Sequence, residues 1–119
     1  MTKKKTYGVI IVSTFPTEES IKKIASDLVL NEKVCACVNH MRVQSLYIWQ
    51  DELQDQIEIL ALFKTTNWHS ERVKEEIKKR HPYQVPEIVE LKMDSVSLSY
   101  LRWIEHSTGL ITNAGEGLN

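Results

Sequence analysis

Apolar and polar positions alternate most clearly between Gln44 and Thr66. In Ser45–Trp49, Leu46 and Ile48 fall on one side of an extended chain and Tyr47 and Trp49 on the other, because successive side chains of a strand point to opposite faces. In Ile57–Lys64 one face carries Ile57, Ile59, Ala61 and Phe63, and the other Glu58, Leu60, Leu62 and Lys64. Gln50-Asp51-Glu52 supplies the turn between the two runs. A strand buried on one side keeps polar residues on the other. Here the second face changes from Glu58 to Leu60 and Leu62, so it too needs cover, and the pattern predicts that another copy of the chain provides it.

The rest of the chain divides around this stretch. Tyr7–Ser13 is a short β-branched run that reads as a strand buried on both faces. Pro16 ends it. Thr17 caps a helix with Glu18 and Glu19 in its first turn, where the dipole favours acids, and with Ile21, Ala25, Leu28 and Val29 on its apolar face. Asn31 closes that helix. Val34–Val43 reads as a second strand, with a bulge or turn at His40-Met41-Arg42-Val43. Asn67 caps a second helix, Trp68–Arg80, whose inward face is Trp68, Val73 and Ile77. That helix stops at His81, because the residue before a proline is driven out of the helical region. Pro86–Met93 supplies the last strand. Asp94 or Ser95 caps a final helix, Val96–His106, apolar through Leu98, Leu101 and Ile104, and Gly109–Asn119 reads as a loose tail. The order β-α-β-β-α-β plus a C-terminal helix is α+β: an antiparallel ferredoxin-like sheet with two helices on one face.

A length of 119 residues suits one domain, and 42% hydrophobic with 26% charged residues is the composition of a folded globular chain. A net charge of −1 gives no global attraction to nucleic acid or anionic membrane. Lys3-Lys4-Lys5 reads as a solvated tail. No stretch is long enough to span a bilayer, and Val9–Val12 is too short for a signal-peptide core, which predicts a cytoplasmic protein without membrane insertion. Cys35 and Cys37, two apart in an extended segment, would hold their Cα atoms about 6.5–7 Å apart, at the edge of disulfide reach, and are expected as reduced thiols.

Five segments together resemble the CutA1 family of divalent-cation tolerance proteins: Ala36-Cys37-Val38, SLYIW at Ser45–Trp49, Lys64–Thr66, HPYQVPEI at His81–Ile88, and YLRWI at Tyr100–Ile104. The resemblance runs from about Tyr7 to about His106, and HPYQVPEI combined with the YxW strand is its specific part. It implies a single CutA1-like domain over 1–119 with its core at about 7–106. It also implies a ferredoxin-like fold, a stable homotrimer similar to PII signalling proteins, and a role in tolerance of copper and other divalent metals. Three departures stand out. Ser13 occupies a position where some bacterial members have cysteine, and Asp51 one where a turn glycine is common. His40–Val43 replaces the usual Pro-Gly.

Two constellations carry candidate chemistry. Cys37 and His81 are the metal candidates, since thiolate and imidazole suit Cu(I) or Zn(II), with Cys35 as a third ligand on the same strand face. Two ligands leave a tetrahedral site open, and the pattern favours reading both cysteines as small buried apolar residues. Tyr47, Trp49, Lys64, Tyr83, Glu87 and Trp103 form the second: aromatic walls with one cation and one carboxylate, the make-up of a small-ligand cleft between subunits. Its alternative is an interface in which the aromatics pack and Lys64 pairs with Glu87. GxSxG, HExxH, P-loop and GxGxxG patterns are absent, so no residue is assigned a catalytic role and no cofactor is obligatory. The RNP-type basic-aromatic pattern is absent too, which removes nucleic acid from the expected partners.

Overall fold

The computed structural model describes residues 5–112. Four strands, β1 (Gly8–Phe15), β2 (Cys37–Trp49), β3 (Glu52–Thr66) and β4 (Val89–Lys92), form one sheet in the order β2-β3-β1-β4. Every neighbouring pair is antiparallel. With α1 (Glu18–Ser26), α2 (Ser70–Arg80) and α3 (Leu98–Ser107) this is the ferredoxin-like arrangement with an added C-terminal helix.

The alternation in the sequence decides which face is filled. Val9, Ile11 and Phe15 of β1 join Ile59, Ala61 and Phe63 of β3 in a core closed by Ile21, Ile24 and Leu28 from the first helical segment and Val73 and Ile77 from α2. Burial of the Val, Ile, Leu and Phe side chains contributes about 1.5–3 kcal/mol each, which makes this face the main source of stability. Thr17 caps α1 by accepting from the Ser20 N–H at 3.1 Å. After Ser26 the helix widens into a π-helical turn, Asp27–Asn31, where Asp27 accepts from the Asn31 side chain at 2.7 Å and meets Arg80 of α2 at 2.7 Å. Those two partners, Asn31 before Arg80, hold the Asp27 carboxyl below its ordinary range.

The opposite face carries Leu60, Leu62 and Lys64, all half-buried. The sequence pattern assigned its cover to another copy, yet part of it comes from the chain's own α3, which packs on β3 with the Lys64 ammonium 5.9 Å from the Tyr100 ring. Ile104 is fully buried beneath that helix. The helix is capped by Ser97, which accepts from the Tyr100 N–H, rather than by Asp94 or Ser95. At its other end Gly109 has φ +75°, and the N–H groups of Gly109 and Leu110 return to the carbonyls of His106 and Glu105. This is a Schellman closure, which glycine adopts without the Cβ penalty. Gly109–Ile111 is therefore tied down where a loose tail was expected, while residues 113–119 and Lys3-Lys4 lie outside the described residues.

Three other expectations change. His40–Val43 neither bulges nor turns: β2 pairs with β3 without interruption from Cys37 opposite Lys64 to Trp49 opposite Glu52. Asn67 does not cap α2. Its side chain accepts from the Tyr7 N–H at 2.8 Å and donates to the Lys5 carbonyl at 2.9 Å, which fastens the N-terminal segment, and α2 begins at Ser70. Trp68 accordingly lies outward, 47% exposed, with its indole donating to Thr6. β4 is also shorter than the Pro86–Met93 run, since the chain reaches β1 only at Val89.

Candidate functional site

β1 pairs with β3 only from Thr66 back to Ile59. Beyond that point β2 and β3 continue as a two-stranded arm that ends in a two-residue turn, with Gln50 at φ 50° and Asp51 at φ 65°. Both central residues are left-handed, as a type I′ hairpin requires, and Asp serves where glycine is the usual choice. The arm keeps the alternation of the sequence. Leu46, Ile48, Leu53 and Ile57 line the side continuous with the helical layer, and Tyr47, Trp49, Gln54, Gln56 and Glu58 line the other. The first set is exposed, Leu53 by 67% and Leu46 by 66%.

The second set forms one wall of a cleft of about 760 Å³ at the base of the arm. The opposite wall is the segment 82–87, which leads from α2 to β4 and contributes Tyr83, Val85 and Glu87. His81 anchors that segment. Its Nδ1 accepts from the Tyr83 N–H at 3.0 Å and its Nε2 donates to the Thr14 carbonyl at 2.8 Å, while the ring stacks on Phe15 at 4.4 Å. This pattern requires the neutral imidazole. Burial lowers the His81 pKa, against the opposing pull of the Thr14 carbonyl and Glu58, in agreement with that form. Tyr83 is aimed by this anchor at Glu58, its hydroxyl donating to Oε2 at 2.7 Å. Burial and the adjacent carboxylate push the Tyr83 hydroxyl pKa upward, so it stays a donor at any ordinary pH.

Glu58 is the buried acid of the cleft lining. It is only 5% exposed, and among the described residues its second carboxylate oxygen has no hydrogen-bond partner. Around it Tyr47 donates to Gln56 at 2.9 Å, and Gln56 donates to Gln54 at 3.4 Å, so the polar wall is ordered by its own bonds. Among the described residues no lysine, arginine or histidine lines the cleft.

Of the six residues expected at a ligand cleft, Tyr47, Trp49, Tyr83 and Glu87 meet here within one chain. Lys64 and Trp103 do not. Lys64 lies under α3 against Tyr100, which stacks on Trp103 with centroids 5.6 Å apart. Glu58, Gln54 and Gln56 were absent from the expected set. The signal available for Glu58 was its position, the one acid within the apolar run Ile57–Phe63, in phase with Tyr47 and Trp49 across the hairpin.

The metal candidates are separated. Cys37 pairs with Lys64, whereas His81 lies beside Thr14, which is opposite Leu60 on the other side of β3; four residues of strand, about 13 Å, and the width of β3 lie between them. Both His81 nitrogens are occupied. Cys35 is fully buried outside the strand, its thiol facing the carbonyls of Lys64 and Cys37, and burial pushes its pKa up to about 12. Cys37 is half-buried, with its thiol near the Asn39 side-chain oxygen at 3.8 Å. Neither cysteine is in a disulfide. Among the described residues no group of three or more His, Cys, Asp or Glu is arranged to hold a metal ion.

The family model of the CutA1 divalent ion tolerance protein matches residues 9–107. The chain belongs to the CutA1 family. It is 41% identical over 101 residues to the divalent-cation tolerance protein CutA of Thermus thermophilus, covering 84% of this chain and 97% of that one. To the protein of the same description from Thermotoga maritima it is 36% identical over 99 residues, covering 83% and 97%. The crystal structure of CutA1 from Ehrlichia chaffeensis superposes with a TM-score of 0.82 at 26% identity over 88% of this chain and 98% of that one. CutA1 from Pyrococcus horikoshii gives 0.79 at 34% over 83% and 96%. The matched span contains all of the sheet but Gly8, including the arm and the segment that carries Tyr83 and Glu87.

Proposed function

We propose that this chain serves divalent-cation tolerance as a PII-like cytoplasmic homotrimer that binds a small ligand in the cleft at the base of the arm. The observation that carries the reading is Glu58, a carboxylate almost removed from water yet open on one oxygen toward a cavity walled by Tyr47, Trp49 and Tyr83. A buried charge is costly to keep unless something compensates it, and its persistence in a cavity points to a ligand. Assembly is supported by the arm. A two-stranded ribbon is marginal in water on its own, and this one exposes Leu46, Ile48, Leu53 and Ile57 on a single side. The outer edges of β2 and β4 are also free to pair, and Leu60 and Leu62 remain partly open. The cytoplasmic placement is supported by two cysteines outside any disulfide.

Native mass spectrometry tests the assembly. Three copies of the 13.8 kDa chain are expected, with Ile48→Asp dissociating them; a monomeric wild type overturns the trimer. A thermal-shift screen of metabolites on wild type and Trp49→Ala tests the cleft. A second reading, copper or zinc binding, is favoured by the half-buried Cys37 thiol, which a metal shared between copies could reach. Cys37→Ser is then expected to lower Cu(I) or Zn(II) affinity at least tenfold. His81 joins such a site only by releasing the Thr14 carbonyl or the Tyr83 N–H.

A further inference from the structure

The cleft combines two carboxylates, Glu58 and Glu87, with the rings of Tyr47, Trp49 and Tyr83, and among the described residues it contains no basic side chain. That balance selects the sign of its ligand. An anion would meet two negative groups and no donor stronger than an amide or hydroxyl. A cation would meet the open oxygen of Glu58 and the faces of electron-rich rings, which attract positive charge within about 6 Å.

The cavity also discriminates between kinds of cation. Magnesium and calcium require six or more oxygen ligands at short range and release water reluctantly. Here one carboxylate is already committed to Tyr83 through Oε2, and the remaining walls are largely rings and side-chain amides bonded to one another. Aromatic walls suit a weakly hydrated cation whose carbon skeleton gains from burial, and about 760 Å³ is ample for a molecule of metabolite size. We infer that the cleft at the base of the arm binds a small organic cation, an amine or guanidinium compound, with its charged head on Glu58 and its carbon chain between Tyr47, Trp49 and Tyr83. This inference rests on the ligand-cleft reading above and names the ligand class for that same site.

Isothermal titration of the full-length protein with putrescine, agmatine and choline, with succinate and ATP as anionic probes and magnesium chloride as a metal probe, tests it. At least one organic cation is expected to bind once per subunit with Kd below about 1 mM, a range set by ligand-efficiency limits for small ligands. Glu58→Gln should weaken it at least tenfold. That variant retains an oxygen to accept from Tyr83, so it is expected to fold; Glu87→Gln, at the exposed rim, should weaken binding less and guards against a misfolded Glu58 variant. Trp49→Ala should also weaken it. If ATP or succinate binds and Trp49→Ala abolishes that binding, the cleft stands and its cationic preference is overturned. Binding of magnesium alone with the same loss in Glu58→Gln overturns the organic ligand in favour of a metal. Cation binding unchanged in all three variants, or no binding by any probe, overturns both the inference and the cleft as a site.

Discussion

Replacing Tyr83 by Phe removes one atom of consequence, the hydroxyl that donates to Glu58 at 2.7 Å. Phenylalanine retains the ring that stands 4.9 Å from His81, so the packing of the segment is kept and the change reports on the hydrogen bond. A hydrogen bond to a charged group contributes about 1.5–3 kcal/mol. Glu58 is 5% exposed, so bulk water reaches it only through the cleft and cannot fully replace the donor. A loss of about 2 kcal/mol per subunit follows, which lowers a urea midpoint by roughly 1 M at the m-values usual for small domains. The assay is urea unfolding by circular dichroism at one protein concentration, because assembly makes apparent stability depend on concentration. Glu58→Gln and the double variant complete a cycle whose expected coupling of about 1 kcal/mol is the excess of the charge-assisted bond over the neutral one that glutamine retains. A Tyr83→Phe loss under about 0.5 kcal/mol with no coupling would mean that the bond is no better than one to water. The account of Glu58 as a carboxylate held by the protein would then be wrong.

Three further outcomes are expected. The Ser13 hydroxyl is fully buried and, among the described residues, has no hydrogen-bond partner; Ser13→Ala should stabilise by about 1 kcal/mol and raise Tm by roughly 4 °C in a calorimetric melt, and a lower Tm would refute the orphan assignment. Asp51 has φ 65° in the arm turn, so Asp51→Gly should relieve about 0.5 kcal/mol of left-handed strain, read as a higher thermal midpoint; an unchanged or lower midpoint counts against it. The His81 pKa is lowered from 6.5 by burial, so the unfolded chain takes up the proton first as pH falls. Its contribution is complete above pH 6.5 and is lost as pH drops below that value toward the folded pKa. Urea midpoints in metal-free buffer should fall between pH 7.5 and 5.5, and His81→Asn should flatten that profile; equal slopes in the two proteins would refute the role.

The strands were legible because their cue is local. Alternation across Ile57–Lys64 named Ile59, Ala61 and Phe63 as one face, and all three are in the core. It placed Tyr47 and Trp49 together, and they share a wall of the cleft. Ile57 shares the phase of that core face but lies beyond the end of β1, so it is exposed by 52%. Periodicity reports the side, not where the supporting layer stops. Glu58 was missed for a related reason: its burial depends on Tyr83, far along the chain, reaching back over the sheet. Lys64 and Trp103 were grouped with a cleft between subunits on chemistry and on family motifs; within one chain α3 holds them apart from the cleft at the base of the arm. Ser97 caps α3 in a stretch that also offers Asp94 and Ser95, three competent caps among which sequence has no means of choosing.

The position of β1 in the middle of the sheet has a consequence for synthesis. Its first partner in chain order is β3, and the nearest pair, Phe15 with Ile59, spans roughly 45 residues. At about 5–20 residues per second on the ribosome, β1 waits several seconds for that partner. During that interval Val9, Ile11 and Phe15 have only α1 to shield them, and an apolar segment with free edges is what chaperones bind and what neighbouring nascent chains pair with. The hairpin of β2 and β3, whose register is set by its own two-residue turn, can form as soon as it emerges and then receive β1 as a finished template. Slow codons placed after the hairpin would favour this order, while a delay between β1 and β3 would lengthen the exposed interval and lower the yield of folded chain.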